Sequence, residues 1–262
     1  MDKPIHISIL GGGNVATHLA RKYSNMPEIV LQQIYNRHLD KILEFKSVTD
    51  IIDDLSQLKE ADIFIIAIND DAIQNFSKQL TKFNNTLIVH TSGSININDL
   101  QVLRKGVFYP FQSFSKDKKQ LDFINIPILI EAIFKKDEKL LLKLGKTISN
   151  KVLVANSEQR MSLHIGGVFV ANFVNHLYFQ GQELLKSHKL PYNLLKPLIQ
   201  EVADKAITMS PKKAQTGPAM RNDQQIIKKH LDFLKDKPQQ QIYKLLSDSI
   251  LNTYSNSNEE KS

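Results

Sequence analysis

The sequence contains no cysteine. That excludes a disulfide framework, a thiolate nucleophile and a cysteine-based zinc site. Nor does any stretch approach the roughly 18 uninterrupted apolar residues of a membrane-spanning helix. The opening Met1-Asp2-Lys3-Pro4 runs straight into a short apolar segment, residues 5–10. That segment is too short for the core of a secretory signal and has no small-residue cleavage site after it. The expectation is a cytoplasmic protein without a membrane anchor. There is a formal net charge of +7, but the basic residues are spread along the chain. A solvated surface accounts for that pattern and nucleic-acid binding is not expected. A basic field of this kind would favour anionic ligands. With 262 residues, 42% of them apolar, the chain can bury a core and is long enough for one large domain or two modest ones.

The first part alternates short β-type runs with helical stretches. Strands are expected at 5–10, 30–35, 61–68, 87–90, 106–109 and 127–131, with helical segments at 14–24, 40–45 and 72–81. The run at 61–68 is apolar throughout, as in a parallel strand buried on both faces. This alternation predicts βαβ units and a doubly wound α/β sheet. After about residue 150 the pattern becomes helical, with one further short strand conceivable at 151–155. Helices are expected at 157–187, 191–209, 223–233 and 239–254. The reading is a Rossmann domain over 1–153, an all-α domain over 154–254 and a frayed polar tail over 255–262.

Ile7-Ser8-Ile9-Leu10-Gly11-Gly12-Gly13-Asn14-Val15-Ala16 fits the pattern G-x-G-x-x-G/A, between the first strand and the first helix. Gly11 would permit the tight turn, Gly13 a close approach to a pyrophosphate, and Ala16 tight packing of helix on strand. Asn14 and Val15 open the helix, whose free N–H groups suit an anion. At the end of the second strand, where a carboxylate would select NAD, stands Tyr35-Asn36-Arg37-His38, with no acid before Asp40. Asn36 can bond a ribose and Arg37 can pair with a 2′-phosphate. The cofactor expected is therefore NADP(H).

Two further strand ends are polar. Asn69 follows the third long strand, and His90-Thr91-Ser92-Gly93-Ser94 the fourth. Ligands of open α/β sheets sit beyond the carboxyl ends of the strands, so Asn69, Thr91, Ser92 and Gly93 are expected to line the cofactor. Asp70 and Asp71 suit helix N-capping better than catalysis. His90 is either a buried, satisfied histidine or a proton carrier.

The helix from Glu158 is apolar over most of its circumference, so it is expected to be largely buried. At about 100° per residue, His164 and Asn175 fall within about 20° of each other, with Asn172 about 80° from His164. Gly167, Val168 and Ala171 share that sector. Polar groups beside small ones suggest an approach surface for a ligand. A hydrogen-bonded contact at a dimer interface would use the same stripe. Further on, Gly217-Pro218 breaks a helix and Asn222 or Asp223 caps the next. Arg221 is then placed either to bind a carboxylate or to pair with an acid such as Asp223.

Several of these segments together resemble a known family. They are Gly11–Ala16, Asn36-Arg37, His90-Thr91-Ser92-Gly93-Ser94, Tyr109-Pro110-Phe111-Gln112-Ser113-Phe114, His164 with Ala171-Asn172-Phe173, and Thr216-Gly217-Pro218-Ala219-Met220-Arg221-Asn222-Asp223. The family has a Rossmann-like domain followed by an α-helical domain of unknown function, and is commonly described as NADP oxidoreductases. It is similar to pyrroline-5-carboxylate reductase and to deazaflavin-dependent NADP reductases. Where this chain has Asn222 the family often has glycine, a mild departure because asparagine tolerates left-handed backbone. Some members are thought to reduce ketopantoate, and the resemblance implies such an activity here.

The function expected is NADP(H)-dependent reduction of a small carbonyl or imine compound bearing a carboxylate. His164, Asn172 and Arg221 are the candidate catalytic residues, for proton donation, orientation and anion clamping. The competing class is a non-catalytic NADP(H)-binding sensor. A substrate would lie between the carboxyl edge of the sheet and the helical half. The apolar helices of that half predict a homodimer.

Overall fold

The computed structural model describes residues 3–115 and 121–259. The chain divides into two compact units, 1–172 and 173–262.

The first unit is built on an eight-stranded sheet of order β3-β2-β1-β4-β5-β6-β7-β8. Its strands are β1 (Ile5–Leu10), β2 (Ile29–Tyr35), β3 (Asp50–Ile52), β4 (Ile63–Ile66), β5 (Leu87–His90), β6 (Lys105–Pro110), β7 (Ile128–Ala132) and β8 (Val152–Val154). The first six run parallel in the doubly wound Rossmann order, β7 runs antiparallel to β6, and β8 runs parallel to β7. The α/β class expected from the alternating pattern is thus the observed one. Strand geometry explains why 61–68 read as one apolar run. Ile63 and Ile65 face one core with Leu19 and Tyr23 of α1 (Asn14–Tyr23), and with Leu141 and Leu144 of α3 (Lys135–Lys146). Phe64 and Ile66 face the other core, with Ile73 of α2 (Asp70–Ser77).

Two elements were not anticipated. β3 is too short to leave a pattern. Helix α3 is disguised by its charged opening, Lys135-Lys136-Asp137-Glu138-Lys139. One of those charges is an inner one: Asp137 is fully buried, and Arg104 holds it through Nη2 at 2.5 Å and Nε at 3.3 Å. An acid that counts as surface in a hydrophobicity pattern is therefore core here.

Helix α4 (Ser157–Gly167) starts from a capping box, in which Asn156 accepts from the Gln159 N–H at 2.9 Å and Gln159 returns the bond at 3.0 Å. It continues through a π-helical segment (Val168–Phe173) into α5 (Val174–Ser187). The boundary between the two units falls inside that π segment. Two expectations about this helix need correcting. First, the alignment of His164 with Asn175 assumed an even 100° step. A π segment takes an extra residue into its turn, so the step fails there. Second, the helix is not largely buried: Phe169 is 61% exposed and Val170 73%.

The second unit continues with α6 (Lys196–Thr208), the short α7 (Pro211–Ala214), α8 (Gln224–Phe233) and α9 (Gln239–Glu259). The polar tail expected to fray from Ser255 is helical as far as Glu259, because α9 carries on through it. The remainder of that tail, 260–262, lies outside the described residues. Among the described residues no helix is long and apolar enough to cross a membrane, and no group of histidines and acids could hold a metal ion.

Candidate active site

The loop after β1 is folded by its glycines. Gly11 has φ +143°, and a Cβ there would overlap the carbonyl oxygen of Ala67 at the end of β4. Its N–H donates to Tyr35 O at 2.8 Å, which ties the loop to the end of β2. A Cβ on Gly12 would overlap the amide nitrogen of Asn36. Gly13 differs from both: nothing lies within 4 Å of the place its Cβ would take. The loop is thus closed on its protein side and open on the side where a phosphate would approach. Gly13 is also the N-cap of α1, with no side chain capping the helix and no acid in its first turn. The N–H groups of that turn keep their donors and their favourable dipole for an anion.

This loop forms one wall of a cleft of about 950 Å3, a size suited to a cofactor. Gly11, Gly13, Asn14, Val15, Asn36, Arg37, Asn69 and Thr91 all line it. Ala16 does not; it is buried in the core under the loop, where it lets α1 pack close to the sheet. The β2 end contributes more nitrogen donors than sequence reasoning found. His38 and Lys41 line the cleft beside Arg37, and Asp40 does not. Lys41 was missed because its 3-10 turn (Leu39–Lys41) carries no motif. Asn36 accepts the His38 N–H at 3.0 Å, which shapes this turn. α2 adds Asn75 and Phe76, and the 3-10 turn after it (Lys78–Leu80) adds Gln79.

Asp70 also lines the cleft, yet it does not cap α2. It accepts a hydrogen bond from Ser92 Oγ at 2.7 Å, and the N-cap Asn69 makes no side-chain cap bond. Ser92 Oγ in turn accepts the N–H groups of Ser94 and Ile95, at 3.0 and 3.1 Å. Ser92 therefore builds the loop after β5 and does not itself line the cleft. His90 is buried as the first alternative has it but is not fully satisfied, since its Nε2 has no hydrogen-bond partner among the described residues. It is fully buried, and burial first, then the Arg160 guanidinium, lowers its pKa to about 3. Its Nδ1 accepts the Ser92 N–H at 3.1 Å. A neutral ring tied to its own loop is no proton carrier at neutral pH.

Gly93 lies beneath the ring of His164. A Cβ added there would fall 2.5 Å from Nδ1 and 2.6 Å from Cγ. The same Nδ1 is 2.9 Å from the hydroxyl of Tyr109, near the end of β6. Burial first, and then the Asp70 carboxylate, push the Tyr109 phenol up to about 12, against an opposing effect of Arg160. Helix α4 is held to this edge of the sheet at two more places. Gly167 receives the ring of Phe111, 2.6 Å from where its Cβ would be. Arg160, buried to 1%, pairs with Glu131 Oε2 at 2.5 Å and donates to the Ser157 hydroxyl and the Ile95 carbonyl. Ser157 bonds Glu131 as well, at 2.8 Å.

The other two candidates belong to other segments of the chain. Asn172 is exposed on the π segment, at the end of the first unit. Arg221 belongs to the second unit, where it is exposed and forms no ion pair with Asp223. Asp223 instead caps α8, accepting the Ile226 N–H at 3.1 Å. Asn222 has φ +55°, the left-handed conformation expected of it.

The chain was compared with known proteins. Residues 126–250 match the model of a domain of unknown function, DUF2520. Among curated proteins none matches the sequence. A solved structure from Bacteroides fragilis, described as a candidate NADP oxidoreductase, is 39% identical. It covers 95% of this chain and 98% of its own, with a TM-score of 0.86. A protein from Thermotoga maritima is 18% identical over 95% of this chain and 99% of its own, with a TM-score of 0.78. An imine reductase from Myxococcus stipitatus, solved with NADP+, is 12% identical over 97% of this chain and 94% of its own, with a TM-score of 0.65. The last two show a shared fold. With near-complete coverage in both directions at 39% identity, the chain belongs to the family of the Bacteroides fragilis protein.

Proposed function

We propose that this protein is an NADP(H)-dependent oxidoreductase that reduces a small carbonyl or imine compound bearing a carboxylate, with a ketopantoate-like 2-oxo acid as the first compound to try. The observation that carries the proposal is the cleft: an open phosphate-binding glycine loop whose far end, at the close of β2, presents Arg37, Lys41 and His38 and no carboxylate. Three cationic or polar donors there suit the extra phosphate that distinguishes NADP from NAD. The description of the 39% identical relative supports the same cofactor and class.

Bound in this cleft, NADPH would supply a hydride to the electrophilic carbon of the substrate. The residues of the chain do the rest. The loop after β1 and the first turn of α1 hold the pyrophosphate. Asn36 and Arg37 hold the adenosine ribose and its phosphate, and Asn69 and Thr91 line the path along the strand ends. His164 gives a proton to the oxygen or nitrogen that receives the electron pair. Asn172 orients that atom by a hydrogen bond, and Arg221, unpaired with Asp223, clamps the carboxylate.

The same reading makes the protein a homodimer through its helical half. Helices α5 and α6 have no buried residue, yet they carry Phe179, Leu198, Val202 and Ile207 at 50–82% exposure. Apolar faces of that extent mark an interface, and a second copy supplies the same kind of face.

Titration with both cofactors tests the cleft. NADPH should bind more tightly than NADH, and Arg37→Glu should weaken NADPH by about 10- to 100-fold, the worth of a charged hydrogen bond. Equal dissociation constants in the unmutated protein would overturn the assignment. NADPH oxidation with a panel of 2-oxo acids and cyclic imines tests the chemistry, and silence across that panel would leave a binding protein.

A further inference from the structure

We propose that Tyr109 is a positioning residue that holds His164 as the Nε2–H tautomer, so that one defined nitrogen faces proton transfer. The proposal deepens the reading of His164 as proton donor and rests on it.

A neutral imidazole has one nitrogen that donates and one that accepts. Left alone, the proton exchanges between them, and a donor that must present a proton at one position is competent for only part of the time. Here the choice is made by a neighbour. The Tyr109 hydroxyl lies 2.9 Å from Nδ1 and makes no other hydrogen bond among the described residues. A half-buried phenol with a single acceptor in reach gives its proton to that acceptor. Burial and the Asp70 carboxylate hold the proton on the oxygen and outweigh the opposing Arg160 guanidinium. The direction of the bond follows: Tyr109 donates, Nδ1 accepts, and the imidazole proton sits on Nε2. When Nε2 gives that proton to the substrate, the Tyr109 proton passes to Nδ1, so the ring stays a neutral imidazole and the phenol regains its proton from water.

The ring is also fixed in place. Its Nδ1 edge rests on Gly93, with Cβ, Cγ and Nδ1 of His164 all within 2.9 Å of where a Gly93 side chain would begin. Rotating the ring would remove Nδ1 from the hydroxyl and leave the phenol unpaired. Three separate elements thus converge on one imidazole: β6 through Tyr109, the loop after β5 through Gly93, and α4, which carries His164. Orientation of a histidine through one nitrogen, so that the other does the chemistry, is a general device of proton-transfer sites. Tyr109 is 55 residues from His164 in sequence, and nothing in either segment announces the pairing.

The test is a long-range proton–nitrogen spectrum of the full-length protein, with 15N-labelled histidine, above the titration range of histidine and with NADP+ bound. The His164 signals are identified by their loss in His164→Ala. In the unmutated protein the protonated nitrogen should be Nε2. In Tyr109→Phe, which keeps the ring and loses the hydroxyl, that preference should be lost while NADPH affinity stays within about twofold of the original, a small fraction of a binding energy. A proton on Nδ1 in the unmutated protein would overturn the proposal without recourse to any variant. An unchanged tautomer in Tyr109→Phe would overturn it equally. Turnover decides the underlying reading separately: His164→Ala that reduces a substrate at the original rate ends the role of His164 as donor, whatever the spectrum says of Tyr109.

Discussion

The two units of this chain bury their apolar residues to very different degrees. In the first unit the central strands β4 and β5 are buried along their whole length, and Phe64, Ile65 and Val89 are wholly out of water. Among the described residues of the second unit the buried apolar ones are Ala219, Ile227 and Leu234, while Leu198, Ile207 and Leu245 stand 61–82% exposed. The difference teaches where each unit gets its stability. The first holds itself together by a two-sided core and by buried ion pairs. The second is helical by local hydrogen bonding and caps, and needs something else to cover its apolar faces.

The sharpest contrast is a buried charge. Glu131→Ala would leave the Arg160 guanidinium, 1% exposed, without its carboxylate. Breaking such a pair from one side costs about 3–5 kcal/mol. Chemical denaturation should show that loss, and it should not depend on protein concentration. A loss under about 1 kcal/mol, the worth of a surface pair, would mean that water reaches Arg160 and that the first unit is looser than its burial suggests.

In the second unit the prediction reverses. Leu198 and Val202 are one helical turn apart on α6, and both are exposed in the single chain. Leu198→Glu with Val202→Glu should leave the monomer folded and dissolve the proposed dimer. Each apolar side chain returned to water forfeits about 1.5–3 kcal/mol, so dimer affinity should fall more than about a hundredfold. Light scattering at micromolar concentration reads the outcome. A stable monomer before mutation would remove the proposed interface altogether.

How much of this could be read from the sequence follows the same division. Buried parallel strands leave short apolar runs, so β1 and β5 were legible to the residue, while β4 (Ile63–Ile66) is two residues shorter at each end than the run that announced it. The glycine loop and Arg37 were legible because each turns on a backbone or charge requirement that few residue types meet. Tyr109 was not, because its role exists only after residues 55 apart are brought together. Nor was α3, whose buried Asp137 hides inside a charged stretch. In the long helix the apolar pattern was real, but the inference from it failed twice. An apolar circumference predicted burial, whereas Phe169 and Val170 are exposed, and an even angular step predicted a polar stripe that the π segment interrupts.

Acid should find the first unit through His90. Its folded pKa of about 3 lies below the ordinary value of 6.5. Below pH 6.5 the unfolded chain therefore binds a proton that the folded one refuses. The penalty is absent above about 6.5 and grows as pH falls towards 3, reaching about 2 kcal/mol by pH 5. His90→Gln should remove that part of the acid sensitivity in denaturation curves at pH 7 and pH 5. A variant with undiminished acid sensitivity would show that protonation enters elsewhere.

The smallest effect lies in the loop that carries Arg221. Two residues there have positive φ, Gly217 at +105° and Asn222 at +55°. In the first unit Gly11 also has positive φ, but there a side chain would strike the Ala67 backbone. At Gly217 nothing lies within 4 Å of an added Cβ. The loop of the second unit is therefore limited by torsion alone and not by packing. Asn222 donates its N–H to Ala219 O at 3.1 Å, and its carbonyl accepts the Gln224 N–H at 3.0 Å. Its side chain accepts from Gln224 Nε2 at 2.7 Å. Asn222→Ala should cost about 1 kcal/mol, the left-handed penalty of an ordinary residue. Asn222→Gly should be close to neutral, since glycine relieves the strain but loses the side-chain bond and frees the unfolded chain. Thermal unfolding of the two variants side by side reads the difference. If alanine costs about 3 kcal/mol or more, beyond single-residue strain, the loop is packed as tightly as the glycine loop after β1. The contrast between the units would then end at Arg221.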